Sequence, residues 1–132
     1  MEKHKVVESP KEINGITVVQ DIREAMECLK NSETIARFEW GNSMFPILNS
    51  GEYAIVTPVN KLKYGIESVE KGDAVLCSVN GILMTHRVIE VVKTPYRGVW
   101  FKIGDTHATV YGWTQDIYGV AESTNIFERD LY

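Results

Sequence analysis

Residues 74–92 read AVLCSVNGILMTHRVIEVV, in which two runs rich in β-branched and apolar residues are joined by Asn80-Gly81. Such residues favour extended backbone, and Asn-Gly between two runs of this kind favours the positive φ angles of a type I′ turn. The stretch therefore predicts a β-hairpin with strands at 74–79 and 82–92. Cys77 lies within the first strand and is expected to be inert packing.

The same strand pattern extends over most of the chain after residue 32. Four further strands are predicted, at 34–40, 53–59, 99–103 and 117–121. The polar stretch 60–72 is predicted to be a loop between two of these strands. The chain is therefore expected to form a mostly β domain.

One segment before the strands has a different periodicity. Apolar side chains recur at helical spacing at Ile22, Ala25, Met26 and Leu29. Asp21 and Glu24 have the arrangement of a capping box, so a short amphipathic helix is predicted over 21–30. Residues 1–20 are interpreted as an N-terminal arm with one short strand at 16–19, and 21–132 as a single domain.

Composition excludes several classes of function. The 132 residues include 14 Lys and Arg against 18 Asp and Glu, a net charge of -4, so no broad basic face for nucleic acid is expected. Cys28 and Cys77 have no metal-like spacing and are interpreted as reduced thiols, with no metal or organic cofactor. The sequence contains no apolar run long enough to cross a membrane or serve as a signal peptide, so a cytoplasmic location is expected.

Several short segments carry residues suited to chemistry. They are Gly41-Asn42-Ser43-Met44-Phe45-Pro46, Lys71-Gly72-Asp73-Ala74-Val75, Thr85-His86-Arg87-Val88-Ile89, Ile103-Gly104-Asp105 and Tyr118-Gly119-Val120-Ala121. In this order and spacing, over about 39–121, they resemble the boxes of the type I signal peptidases and the self-cleaving LexA-type repressors. The resemblance implies a compact, coiled β architecture of partly closed antiparallel sheets, with the short helix packed at one side.

The resemblance also implies a serine endopeptidase. Ser43 takes the position of the nucleophile, and His86, directly before Arg87 and Val88, takes the position of the general base in the Ser/His branch. Neutral imidazole can remove the serine proton near physiological pH. Ser43 would then form an acyl-enzyme that water hydrolyses.

Two departures from the family pattern affect the supporting residues. Gly41 stands where the family carries a hydroxyl that helps bind the oxyanion, so this role is expected for the Ser43 backbone amide and Asn42. Met44 and Pro46 are expected to shape the loop that exposes the serine.

The second departure follows Gly104-Asp105, where the family commonly carries a further acid. Asp105 is the first candidate to orient His86 and Asp116 the second, although a turn-capping carboxylate beside Gly104 is an equal interpretation of Asp105. Arg87 is expected to pack or pair locally, and His107 to be a solvated turn residue.

Two alternatives stay open. The first is a self-cleaving regulator like the LexA-type repressors. It is disfavoured because neither a basic helix that could read DNA nor an Ala-Gly scissile pair precedes Ser43. The second is a catalytically silent β domain that binds peptides or a partner. In the peptidase interpretation the partner is a peptide or precursor protein, and the membrane would be reached only through another protein.

Overall fold

The computed structural model describes residues 11–38, 53–105 and 107–123. These residues form one α-helix, α1 (Ile22–Lys30), two short 3-10 helices (Val59–Lys61 and Gly65–Ser68), and nine strands. The strands are β1 (Glu12–Ile13), β2 (Ile16–Thr17), β3 (Ile35–Phe38), β4 (Tyr53–Pro58), β5 (Ala74–Val79), β6 (Ile82–Thr94), β7 (Gly98–Gly104), β8 (Val110–Thr114) and β9 (Asp116–Ser123). The predicted mostly β fold with one short helix is confirmed.

Local signals account for the helix and the central hairpin. The Asp21 carboxylate accepts the Glu24 N–H at 2.9 Å, which satisfies one of the free donors in the first turn of α1. Asn80 and Gly81 have φ angles of 52° and 82°, as a type I′ turn requires, and they join β5 to β6. Both predicted elements are therefore confirmed.

The structure adds three features to these predictions. β8 was not predicted, because Gly112 interrupts its pattern; a side chain there would meet Val79 at 3.0 Å. The stretch predicted as a loop at 60–72 contains 3-10 turns. Residues 12–17 form a two-stranded hairpin, and Val18 bridges to Ala36 of β3, so this part of the predicted arm is paired with the domain.

Seven strands form one antiparallel sheet in the order β3-β4-β9-β5-β6-β7-β8. The sheet curls, because strands that are not neighbours in this order contact each other. The Thr114 hydroxyl on β8 donates to the Ser78 carbonyl on β5 at 2.5 Å. The Arg37 guanidinium on β3 donates to the Thr85 hydroxyl on β6 at 3.4 Å. This curvature gives the partly closed architecture.

Two apolar cores lie on opposite faces of β5, because successive residues of a strand point to opposite sides. The helix-side core packs beneath α1 and consists of Val19, Ala25, Leu29, Ile35, Ala54, Val56, Ala74, Leu76 and Ala121. The curled core lies inside the curl of β5 to β8 and consists of Val69, Val75, Cys77, Val79, Val88, Val99, Phe101, Ile103 and Ile117.

Candidate functional site

The predicted nucleophile and its neighbours lie outside the described residues. Ser43, Asn42, Gly41, Met44 and Pro46 all belong to 39–52, the segment between β3 and β4. The expected approach of Ser43 to His86 therefore stays a prediction. The described part of the site is the histidine and its surroundings.

His86 lies in the middle of β6, opposite Val75 of β5, and so shares the face of the curled core. The residue is partly exposed, but its Nδ1 atom is buried and has no hydrogen-bond partner among the described residues. Burial lowers the pKa of His86 below its ordinary value, while the negative charge of Asp105 opposes this shift. The imidazole is therefore neutral near pH 7.

Tyr111 of β8 covers one face of this imidazole. The two rings are stacked, with centroids 4.5 Å apart and planes inclined by 21°. Tyr111 also packs against the curled core, and its hydroxyl donates to Asp105 Oδ2 at 3.3 Å. Burial raises the Tyr111 pKa, and the Asp105 charge adds to that shift, so the phenol keeps its proton.

Asp105 is held by the turn between β7 and β8. Its Oδ1 accepts the backbone N–H groups of His107 at 2.8 Å and Thr109 at 3.0 Å. The Thr109 N–H is the main cause that lowers the Asp105 pKa, so the carboxylate is ionised. None of the hydrogen bonds described for Asp105 reaches His86. Asp105 therefore acts on the imidazole through its charge, and the turn-capping interpretation describes its contacts.

Gly104 allows this turn to close. A Cβ atom at position 104 would lie 2.6 Å from the Thr109 carbonyl oxygen, a backbone atom that cannot easily move away. Ala108 in the same turn has a φ of 74°, an uncommon conformation for a residue with a side chain. The backbone is therefore bent sharply to bring Asp105 and Tyr111 beside the histidine.

No protein-family model, curated protein or solved structure gives a significant match to the chain. Assignment of the site accordingly depends on the residues themselves and on their geometry.

Asp116 lies on the other side of the sheet from His86. It pairs with Ser78 of β5, whereas His86 pairs with Val75. Positions 75 and 78 point to opposite faces because they are three residues apart. The charge of Asp116 acts on Cys77 and Tyr118. Asp116 is therefore not placed to orient the imidazole.

Arg87 points away from the site, toward the face that carries Thr85. Its Nε atom is buried and has no hydrogen-bond partner among the described residues. The partial burial of Arg87 is consistent with the predicted local packing, and the pairing of this side chain stays a prediction. Thr85, on the same face, accepts a hydrogen bond from the Arg37 guanidinium of β3.

The remaining titratable groups do not form a second site. Within 11–38, 53–105 and 107–123, no group of three His, Cys, Asp or Glu side chains could hold a metal ion. Cys77 is buried, and burial raises its pKa to about 12, which makes the thiol unreactive as predicted. Among these residues no helix is both long and apolar enough to span a bilayer.

Tyr111 is the residue that sequence reasoning missed. Its sequence signal is weak, because an aromatic residue in a strand is usually explained by packing alone. Tyr111 follows the Asp105 turn at 105–109 by two residues, but this spacing does not reveal that β8 folds back over β6.

Proposed function

We propose that the protein is a serine endopeptidase in which Ser43 is the nucleophile and His86 the general base. The observation that carries the proposal is the position of His86 in the middle of β6, half-buried beside the curled core and stacked on Tyr111, where burial lowers its pKa. A neutral imidazole can accept a proton, whereas an imidazolium cannot. The assignment of Ser43 as the nucleophile comes from the order and spacing of the sequence motifs.

The course of β3 supports the same assignment. β3 ends at Phe38, and the neighbouring Arg37 reaches Thr85, directly before His86 in β6. Ser43 follows Phe38 by five residues, a length of chain that spans at most about 18 Å. Five residues are therefore enough chain for Ser43 to reach the strand that carries the base.

In the proposed reaction His86 takes the Ser43 hydroxyl proton while Oγ bonds to the peptide carbonyl carbon. The oxyanion would be bound by the Ser43 backbone amide and Asn42. His86 then returns the proton to the leaving amine as the C–N bond breaks, and water hydrolyses the acyl-enzyme in the reverse sense. The charge of Asp105 stabilises the imidazolium that forms during each step.

The proposed substrate is a peptide or precursor protein in the cytoplasm. Both cysteines are free thiols, which fits a reducing compartment. The reaction needs no metal or organic cofactor, because the serine and histidine supply the nucleophile and the base. The remaining motif residues, Met44 and Pro46, would shape the serine loop.

The test compares Ser43→Ala, His86→Ala and His107→Ala with the wild type on a peptide library read by mass spectrometry. Ser43→Ala and His86→Ala should abolish turnover, because each removes a reacting group. His107→Ala is the matched control, since this histidine is exposed in the neighbouring turn and should leave cleavage unchanged. Equal cleavage by Ser43→Ala and wild type would contradict the proposal.

The pH dependence of cleavage identifies the base. The rate should rise with pH through a transition below the ordinary histidine pKa of about 6.5, because burial lowers the His86 pKa. A rate that still climbs at strongly alkaline pH would indicate a lysine base, with Lys71 and Lys102 as the residues to substitute.

A second candidate function is a peptide-binding domain without catalysis. It is favoured by the absence of a described hydrogen bond from His86 Nδ1 to a carboxylate, the contact that fixes the tautomer in Ser-His-Asp sites. In that case wild type and Ser43→Ala would bind the same peptides and cleave none. Intact-mass spectra of the protein itself, followed over time, would separately reveal self-cleavage.

A further inference from the structure

Among the described residues no carboxylate is hydrogen-bonded to His86 Nδ1, but an aromatic ring lies against the imidazole. Tyr111 makes two contacts at once, a ring stack on His86 and a hydroxyl hydrogen bond to Asp105. The Asp105 carboxylate is in turn fixed by two backbone N–H groups of its turn. The three side chains therefore form a connected group anchored to the backbone at the Asp105 end.

We propose that Tyr111 is a positioning residue for His86: its ring holds the imidazole plane and shields Nδ1 from water, while its hydroxyl ties that ring to Asp105. Tyr111 thus links Asp105 to His86, and Asp105 also acts on the imidazole through its charge. The catalytic consequence rests on the proposed peptidase function. The effect of Tyr111 on His86 does not.

The other groups around His86 do not supply this role. On β5 the opposing residue is Val75, and on β7 the residues opposite positions 87 and 88 are Gly104 and Ile103. Asp73, which precedes β5 and opposes Val88, accepts the Glu70 N–H through its carboxylate. Among the described residues, Asp105 is the charge that acts on the imidazole and Tyr111 is the ring that covers it.

The arrangement predicts opposite effects of two substitutions on the His86 pKa. Tyr111→Leu removes the covering ring and admits water to Nδ1, so the pKa should rise. Asp105→Asn removes the charge that favours the imidazolium, so the pKa should fall. If these residues served only the stability of the fold, the two substitutions would not shift the His86 pKa in opposite directions.

The experiment follows the histidine ring resonances by NMR as the pH is changed. The chain has three histidines, and His86→Gln identifies the signal that belongs to His86. Trp113→Leu is the matched control, because this aromatic residue on the same strand lies under the Lys102 ammonium group and not against a histidine. It should leave the His86 titration unchanged.

The proposal is overturned if Tyr111→Leu leaves the His86 pKa at the wild-type value, or if Trp113→Leu shifts it equally. Should Tyr111→Leu fail to fold, Tyr111→Phe keeps the ring and removes the hydroxyl. The Asp105 carboxyl pKa should then rise, because it loses a donor. An unchanged Asp105 titration in Tyr111→Phe would equally contradict the proposed tie.

Activity gives a separate readout. If the enzyme cleaves peptides, Tyr111→Leu should lower kcat by about 100-fold with KM retained, since misplacing a catalytic group costs this much. The acid limb of its rate profile should move upward with the NMR titration. Absent wild-type cleavage would refute the peptidase function alone, whereas active enzyme with an unmoved titration would refute the role of Tyr111 alone.

Discussion

The two cores on either side of β5 solve the same packing problem differently. The helix-side core is covered by α1, which buries Ala25 and Leu29 against the sheet. The curled core has no α-helix over it in the described structure and is enclosed by the bending of β5 to β8. Val59, Leu62 and Ile66 of the 3-10 segment pack against it, and at its margin Tyr111 stacks on His86.

The difference shows how one strand can present two unlike faces. Along β6, Thr85 and Arg87 face one side while His86 and Val88 face the other. A half-buried histidine needs a neighbourhood that excludes water on one side and stays open on the other. The margin of the curled core, where His86 stacks on Tyr111, provides such a neighbourhood.

The largest effects should come from truncating the centre of each core. Leu29→Ala should lower the free energy of unfolding by about 2–5 kcal/mol and Phe101→Ala by about 3–5 kcal/mol, because both side chains are fully buried and would leave cavities. Only Phe101→Ala should raise the His86 pKa, since it loosens the cluster that contains Tyr111. Urea denaturation and histidine NMR measure the two quantities, and a His86 shift in Leu29→Ala would break the distinction.

Two glycines offer a matched pair of smaller changes. A Cβ at Gly104 would meet the Thr109 carbonyl at 2.6 Å, and one at Gly119 would meet the Thr57 carbonyl at 2.8 Å. Each alanine variant should cost about 1–3 kcal/mol through overpacking. Gly104→Ala should also disturb the His86 titration, because Thr109 belongs to the Asp105 turn. If Gly119→Ala disturbed it equally, the two regions would not be independent.

The smallest expected effect is a pH dependence of stability that belongs to the curled core. Because the folded His86 pKa lies below the unfolded value of about 6.5, the unfolded chain binds the proton first as pH falls. Stability should therefore decline as pH drops from 6.5 toward the folded pKa and change no further from this cause below it. Urea denaturation of wild type and His86→Gln across this window should show a shallower decline in the variant; parallel curves would exclude the effect.

The parts of the fold that were predictable have local causes. The Asp21 cap and the Asn80-Gly81 turn depend on neighbouring residues, and both are present in the structure. The sequence does not predict β8, because its extended conformation depends on pairing with β7 and on the close approach of Gly112 to Val79. Short-range patterns do not contain that information.

The candidate site divides in the same way. The sequence singles out His86 because of its strand box, and the face of β6 on which it lies accounts for the burial that lowers its pKa. The stack with Tyr111 requires β8 to fold back after the turn at 105–109, so no spacing rule reveals it. The two interpretations of Asp105 likewise needed coordinates, since a carboxylate after glycine suits a turn and a catalytic site equally.

The position of β9 has a consequence for how the chain reaches this structure. β9 lies between β4 and β5, pairing Val120 with Thr57 on one side and with Val75 on the other. The β5–β6 hairpin can form early because its strands are joined by two residues, whereas β9 must bridge pairings of long sequence separation. During synthesis, the edges of β4 and β5 that pair with β9 therefore stay unpaired until residues 116–123 emerge. We expect docking of β9 to be the late step that joins the pair β3–β4 and the four strands β5 to β8 into one cooperative sheet.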